Sequence, residues 1–153
     1  MTAYNFQGLL VDVKGYNWHM SAPVDATLNN NYDTEATQIL VGGIVIPGAD
    51  SGSVDNAGAD ATNYLGVANK SFPAGTTNDK RQLTYTWAGV VRVITDNSAI
   101  LVGSRLKCGA EGKVSLVAAA GATAADTAIQ FGRALEANGS VDETIIMAYI
   151  NMA

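Results

Sequence analysis

The stretch "QILVGGIVIPG", residues 38–48, decides the fold because a near copy, "AILVGSRLKCG", occupies residues 99–109. Each copy contains Ile-Leu-Val-Gly, a short segment and a further glycine. A chain that repeats a segment at long spacing is built from related units. Two copies are too few for an open solenoid, so we expect the units to close into one β-sandwich or β-barrel.

The likeness between the two copies continues along the chain. Gly66 in "YLGVANKS" corresponds to Gly132 in "IQFGRALEANG". A third apolar segment then follows in each copy, "LTYTWAGVVRVIT" in the first and "ETIIMAYIN" in the second. The sequence therefore predicts two related halves, over residues 38–95 and 99–151.

The segments between the glycines alternate with a period of two, which is typical of β-strands. In "LTYTWAGVVRV" the predicted inward side chains are Tyr85, Trp87, Val91 and Val93, and the predicted outward ones are Thr84, Thr86, Ala88 and Arg92. In "SRLKC" the predicted outward side chains are Arg105 and Lys107, and the inward ones are Leu106 and Cys108. The chain is therefore expected to be mainly β.

The last predicted strand is apolar on both faces. Its two alternating sets are Ile145, Met147 and Tyr149 on one face, and Ile146, Ala148 and Ile150 on the other. A strand of this kind is usually buried on both sides. Two interpretations stay open: a central strand of the sheet, or a strand covered by another subunit.

Composition and charge argue against several classes of protein. Only 15% of the residues are charged, against roughly 25% in typical soluble domains, and the net charge is −5. Nucleic-acid binding needs clustered Lys and Arg, so we expect no nucleic-acid partner. No apolar run approaches the roughly 20 residues that span a bilayer, and the N-terminal "MTAYNFQGLLVDVKG" lacks the basic flank of a signal peptide. We expect a protein made in the cytoplasm, without general secretory export or a membrane partner.

Residues that could carry catalysis or bind a metal are few. The single histidine, His19, and the single cysteine, Cys108, give neither a metal cluster nor a nucleophile with a base beside it. Asp50, Asp55 and Asp60 recur in a Gly-rich loop, but their spacing does not match a calcium-binding EF-hand. We expect no enzymatic activity, no cofactor and no metal, and we interpret Cys108 as a buried, inert thiol.

Residues 1–36 differ in composition from the remaining chain, residues 37–153, which we predict to form the β-barrel-like domain. The N-terminal segment contains five of the eleven aromatic residues. It is either an arm that docks on another molecule or an ordinary first strand with its loop, and both interpretations stay open. The predicted capsid or subunit interface residues in this segment are Tyr4, Phe6, Tyr16, Trp18, His19 and Tyr32.

Two longer stretches carry a family resemblance. They are "AGVVRVITDNSAILVGSRLKCGAEGKVSL", residues 88–116, and "IQFGRALEANGSVDETIIMAYI", residues 129–150. Their succession of a Gly-and-Val strand, a "VG" step, a "GKV" turn, a "GRALEA" step and a terminal strand resembles the small phage head decoration proteins, also called capsid cement proteins. The resemblance covers approximately residues 37–150.

The resemblance implies a compact β-barrel or β-tulip-like domain with an extended N-terminal arm. It implies a homotrimer on the outer surface of the virion, bound over junctions between major capsid protein subunits, which stabilises an icosahedral head. The N-terminal segment would reach the capsid or a neighbouring decoration subunit. Two alternatives remain: a phage tail or fibre component, and a carbohydrate-binding β-sandwich module that would expose Trp18 and Trp87 on one flat face.

Overall fold

The computed structural model describes residues 18–24, 39–69, 82–117 and 129–152, and the regular secondary structure of these residues is almost only β-sheet. The nine strands are β1 Trp18–Pro23, β2 Ile44–Pro47, β3 Val54–Asn56, β4 Gly66–Ala68, β5 Gln82–Ile94, β6 Arg105–Cys108, β7 Val114–Leu116, β8 Gly132–Ala134 and β9 Ile145–Asn151. A single 3₁₀ turn, Ala110–Gly112, joins β6 to β7. None of the described residues is in an α-helix. The predicted mainly-β, barrel-like fold is confirmed.

All paired strands belong to one curled antiparallel sheet with a symmetric order. The order is β3-β2-β4-β5-β9-β8-β6-β7, and β1 pairs in addition with β5. We call β1 to β4 with residues 82–87 of β5 the first half, and residues 88–94 of β5 with β6 to β9 the second half. In each half a hairpin pairs with a short strand, and the short strand pairs with a long one: residues 82–87 of β5 in the first half and β9 in the second. β9 also pairs with residues 88–94 of β5. The repeated sequence therefore forms a repeated topology.

Backbone hydrogen bonds recur at corresponding positions of the two halves. The N–H of Gly42 donates to the carbonyl of Ala68 at 2.9 Å, and that of Gly103 donates to the carbonyl of Ala134 at 2.8 Å. Three further bonds from an N–H to a carbonyl correspond in the same way. Gly43 donates to Leu40 as Ser104 does to Leu101, Leu65 donates to Val45 as Phe131 does to Leu106, and Gly48 donates to Ser53 as Gly109 does to Lys113. The two "ILVG" segments thus make corresponding turns, one against β4 and the other against β8.

Glycine is required at the start of both short strands because another strand passes very close. A Cβ atom added to Gly66 would lie 2.6 Å from the carbonyl oxygen of Thr86. A Cβ atom on Gly132 would collide in the same way with the carbonyl oxygen of Tyr149. Any side chain at these positions would push the short strand away from the long one. The matched glycines in the two copies therefore have a steric explanation.

β1 belongs to the same sheet and lies along the edge of β5 that β9 also uses. Thr86 pairs with Val67 of β4 on one side and with His19 of β1 on the other. Ala88 pairs with Trp18 of β1 and with Asn151 of β9, so the two strands meet end to end there. The prediction of a docking arm concerns residues 1–36, of which 1–17 and 25–36 lie outside the described residues, and it stays a prediction.

Each half is closed by one isolated parallel bridge. Val24, just after β1, bridges to Val54 in the first half, and Thr95, just after β5, bridges to Val114 in the second. Val54 and Val114 both begin the second strand of a hairpin. β1 therefore occupies, beside β5 in the first half, the position that residues 88–94 of β5 occupy beside β9 in the second half.

The core consists of two apolar clusters that correspond approximately to the two halves. The first contains Val24, Ile39, Val45, Val54, Ala68, Leu83 and Tyr85. The larger second cluster includes Val91, Val93, Ile100, Leu106, Cys108, Val114, Phe131, Ala134, Ile146, Ala148 and Ile150. Ile44 and Val67 of the first half also belong to the second cluster, so the outer face of the first half packs against the second half.

One prediction for β5 is wrong, and it concerns the residue at a β-bulge. Trp18 pairs with Ala88 and His19 pairs with Thr86, which leaves Trp87 as the extra residue in β5. Trp87 is only partly buried and is not a core residue. Thr86 projects outward as predicted, towards His19, although its neighbours bury it. Away from the bulge the predicted alternation is confirmed: Tyr85, Val91, Val93, Leu106 and Cys108 are buried, and Arg92 is exposed.

Candidate interaction surface

The structure describes two of the six residues predicted to form an interface. Trp18 and His19 are the first two residues of β1. Tyr4, Phe6, Tyr16 and Tyr32 lie outside the described residues, so their assignment stays a prediction. His19 is exposed at the surface of the sheet.

His19 is held by two polar side chains from neighbouring strands. Its Nδ1 lies 2.7 Å from the hydroxyl of Thr86, and this hydroxyl donates to Oδ1 of Asn69 at 2.9 Å. Nδ2 of Asn69 also lies 3.2 Å from Nδ1 of His19, so the three side chains form one hydrogen-bonded group. Thr86 is buried and the group contains no carboxylate, so the arrangement ties β1 to β5 and does not resemble a catalytic triad.

An open cleft of about 250 Å³ adjoins this group. It is lined by His19, Asn69, Thr86, Val90 and Arg92, together with Val41, Ala68 and Val91. Its wall therefore combines one cation with neutral polar and aliphatic groups.

A row of large side chains crosses the outer face of the second half. Arg105 of β6 pairs with Arg133 of β8, Arg133 pairs with Tyr149 of β9, and Met147 pairs with Arg92 of β5. Directly paired residues of antiparallel strands project from the same side of a sheet, as do alternate residues of one strand. We call these five residues, Arg92, Arg105, Arg133, Met147 and Tyr149, the arginine–tyrosine face.

Exposed apolar residues surround this face. Ile145 lies on β9 two residues before Met147, and the N–H of Leu135 donates to the carbonyl of Met147. Arg133 donates from Nη1 to the carbonyl of Gly103 at 3.0 Å, next to the exposed Val102. β9 is thus a central strand, as one interpretation predicted. Tyr149 on its outer face is 51% exposed within one chain, so cover by another subunit stays a prediction.

Most of the basic residues in the described ranges lie on this side of the molecule. Lys107 projects from the same side as Arg105 but forms an ion pair with Asp60 at 2.7 Å. Lys113 is instead buried, and its Nζ lies 3.2 Å from Asp142 and 3.5 Å from Glu143. The net charge of the chain is −5, so the arginine–tyrosine face is a local exception to an acidic molecule.

Cys108 and the acidic side chains are the further candidates for reactive groups among the described residues. Burial, and next the negative charge of Asp60, raise the pKa of the Cys108 thiol to about 12, so the thiol stays neutral and inert, as predicted. Within the described ranges no three His, Cys, Asp or Glu side chains come together as a possible metal site. The absence of enzymatic activity stays a prediction. Among the same residues there is also no helix with the length and apolar character needed to cross a membrane.

The arrangement of strands is similar to that of a solved phage structure. The chain matches the crystal structure of the head fiber gp8.5 N base in bacteriophage phi29 with a TM-score of 0.57 and 18% sequence identity. The match covers 90% of this chain and 97% of that chain. The two chains share a fold. No protein-family model and no curated protein matches the sequence.

Sequence reasoning did not identify the arginine–tyrosine face. It predicted Arg105 as outward and Tyr149 as part of an apolar strand, but it gave no information on which strands are neighbours. The signal that could have found the face is the comparison of the two copies, in which Arg105 replaces Ile44 and Arg133 replaces Val67. This change from aliphatic to basic residues at matched positions is visible in the sequence.

Proposed function

We propose that this chain is a structural protein of a bacteriophage head. The observation that carries the proposal is the fold shared with the phi29 head fiber base over nearly the full length of both chains. The resemblance of residues 37–150 to phage head decoration proteins, which rests on sequence patterns, supports it independently.

Within this class, we propose that the protein binds the outer surface of an icosahedral capsid as a homotrimer and stabilises it. The partner is the major capsid protein, and the N-terminal aromatic residues provide docking contacts. A trimer engages a capsid lattice several times, so modest contacts give strong attachment through avidity. Tyr and Trp are the residue types that dominate binding energy at interfaces, which fits the aromatic N-terminal segment.

The test measures the mass of the purified protein by multi-angle light scattering, and then its co-sedimentation with undecorated heads of the phage that encodes it. A trimer that binds heads at saturating stoichiometry would support the proposal. A truncation of residues 1–17 then tests the arm, because it ends before β1 and leaves the described sheet intact. A monomer that stays in the supernatant would exclude capsid binding.

A second candidate, a head fibre component, is favoured by the identity of the phi29 protein as a head fiber. The two candidates differ in where the protein lies on the virion. Electron microscopy of heads saturated with the protein would show compact density at subunit junctions for a decoration protein. It would show projecting fibres, or density confined to fibre bases, for a fibre component.

A further inference from the structure

The arginine–tyrosine face has no equivalent on the surface of the first half. Counting along the paired strands, Arg105, Arg133 and Tyr149 correspond to Ile44, Val67 and Thr86. The three residues of the first half are at most 1% exposed, because the second half and the His19 group cover them. The same side of the repeated unit is therefore buried in the first half and exposed to solvent in the second half.

Two arginines on this face are placed directly opposite each other. Arg105 and Arg133 form a cross-strand pair on β6 and β8, and like charges in such a pair destabilise a sheet. Within the described residues no carboxylate forms an ion pair with Arg92, Arg105 or Arg133. The exposed face of a terminal repeat needs hydrophilic residues for solubility, but this need does not explain two adjacent cations. An anionic group bound beside both side chains would offset this repulsion.

The residue types of the face are those of protein interfaces. Arg, Tyr and Met are enriched in the cores of interfaces, while Lys, Glu and Asp are depleted. Tyr149 lies beside Arg133, with Met147 and Arg92 in the next row and exposed Ile145 and Leu135 at the border. The guanidinium group binds a carboxylate through two parallel hydrogen bonds, which gives both orientation and affinity.

We propose that the arginine–tyrosine face is a docking surface for an acidic polypeptide, in which carboxylates bind Arg105 and Arg133 and an apolar side chain packs on Tyr149. The charge of the face is complementary to such a partner. A nucleic acid fits less well, because the remaining surface of a chain with net charge −5 repels a long polyanion and three arginines release few counterions. The proposal does not depend on the function proposed above.

The experiment titrates the full-length protein with poly-L-glutamate at low salt and follows the dissociation constant calorimetrically. Dextran sulfate and single-stranded DNA serve as polyanions without a polypeptide backbone. We expect poly-L-glutamate to bind more tightly than either, and binding to weaken as salt is added. Replacement of both arginines, Arg105→Gln with Arg133→Gln, should weaken binding about tenfold, since each exposed charge-assisted contact is worth up to about 1 kcal/mol.

Two further variants separate a docking surface from general electrostatic attraction. Tyr149→Ala should weaken binding about threefold without a change of charge, because an aromatic contact is lost. Lys107→Gln is the matched charge control: its ammonium group is already paired with Asp60, so we expect an effect below about twofold. Each variant is first shown to be folded by circular dichroism and thermal unfolding.

Three results would overturn the proposal. One is the absence of poly-L-glutamate binding by a folded protein. Another is equal binding of the three polyanions together with no effect of Tyr149→Ala, which would indicate attraction by charge alone. The third is a change of oligomeric state on replacing Arg105 and Arg133 without any poly-L-glutamate binding, which would make the face a contact between copies of this chain.

Discussion

Tyr64 and Phe131 meet edge to face, with ring centroids 5.4 Å apart and ring planes at 67°, and this pair joins the two halves of the sheet. Tyr64 precedes β4 in the first half, and Phe131 precedes β8 in the second. The hydroxyl of Tyr64 also donates to the carbonyl of Ile129 at 2.7 Å. Tyr64 thus contributes one aromatic contact and one hydrogen bond to the packing of the first half against the second.

Replacing Tyr64 separates these two contributions. Tyr64→Phe removes only the hydrogen bond and should lower the free energy of unfolding by about 1 kcal/mol. Tyr64→Ala also removes the ring contact and should lower it by about 3 kcal/mol, since large aromatic truncations leave a cavity. Urea unfolding measures both values. The control is Tyr149→Ala, where a half-exposed ring should change stability by less than about 0.5 kcal/mol, and an equal loss at the two positions would contradict the proposed role of Tyr64.

Alanine at the two matched glycines should destabilise both halves. In Gly66→Ala and Gly132→Ala the new methyl group meets a backbone carbonyl of a long strand, which cannot move without breaking the pairing. We expect each change to lower the free energy of unfolding by about 3 kcal/mol or to prevent folding. The control is Gly58→Ala, where a Cβ atom meets nothing within 4 Å. Stable, native-like Gly66→Ala and Gly132→Ala proteins in thermal unfolding would contradict the close approach.

Asn138 is a buried hydrogen-bonding centre between two loops. Its Nδ2 donates to the carbonyls of Asp96 and Ser98, and its Oδ1 accepts from the N–H groups of Ile100 and Ser140. Asn138→Ala leaves these groups without partners and should lower the free energy of unfolding by about 3 kcal/mol.

Asn138→Asp tests the same network with nearly the same shape. It replaces the amide donor with a carboxylate oxygen that faces two carbonyl oxygens, so it should destabilise the protein at neutral pH at least as much as alanine does. Asn97→Ala, in an exposed position of the neighbouring loop, should be nearly neutral. Chemical unfolding of the three variants gives the comparison, and equal effects at positions 97 and 138 would disprove the central role of Asn138.

The Cys108 thiol should make stability fall at alkaline pH. Its pKa is raised from 9.0 to about 12 in the folded protein, so between these values the unfolded chain loses the proton while the folded chain keeps it. Unfolding then releases a proton, and the free energy of unfolding decreases as pH rises, by up to about 1.4 kcal/mol per pH unit. Below pH 9 this contribution to stability is fully present.

The variant Cys108→Ala isolates the effect of the thiol. Burial also raises the pKa of Tyr64 and Tyr85, which acts in the same direction in both proteins. We therefore expect urea midpoints measured at pH 8 and pH 10 to fall more steeply for the wild type than for Cys108→Ala. Parallel pH dependence of the two proteins would show that the buried thiol titrates normally.

Most of the fold was predictable because it is local and repeated. The period of two identified the strands, and the two "ILVG" copies make corresponding turns. Asn138-Gly139 is a typical turn sequence, and Gly139 has the positive φ, +65°, that such turns require. The bulge at Trp87 was not predictable, because it depends on the register of β1 against β5, and strand alternation carries no information on an inserted residue.

By itself, the sequence determined the strand content, the internal repeat and the near absence of reactive side chains. Only the tertiary structure decided that Ile44 and Val67 are covered while Arg133 is exposed and Arg105, its cross-strand partner, is half-buried. The physical reason is that burial depends on what packs against a face. The first half is covered by the second, whereas no described element of this chain covers the corresponding face of the second half.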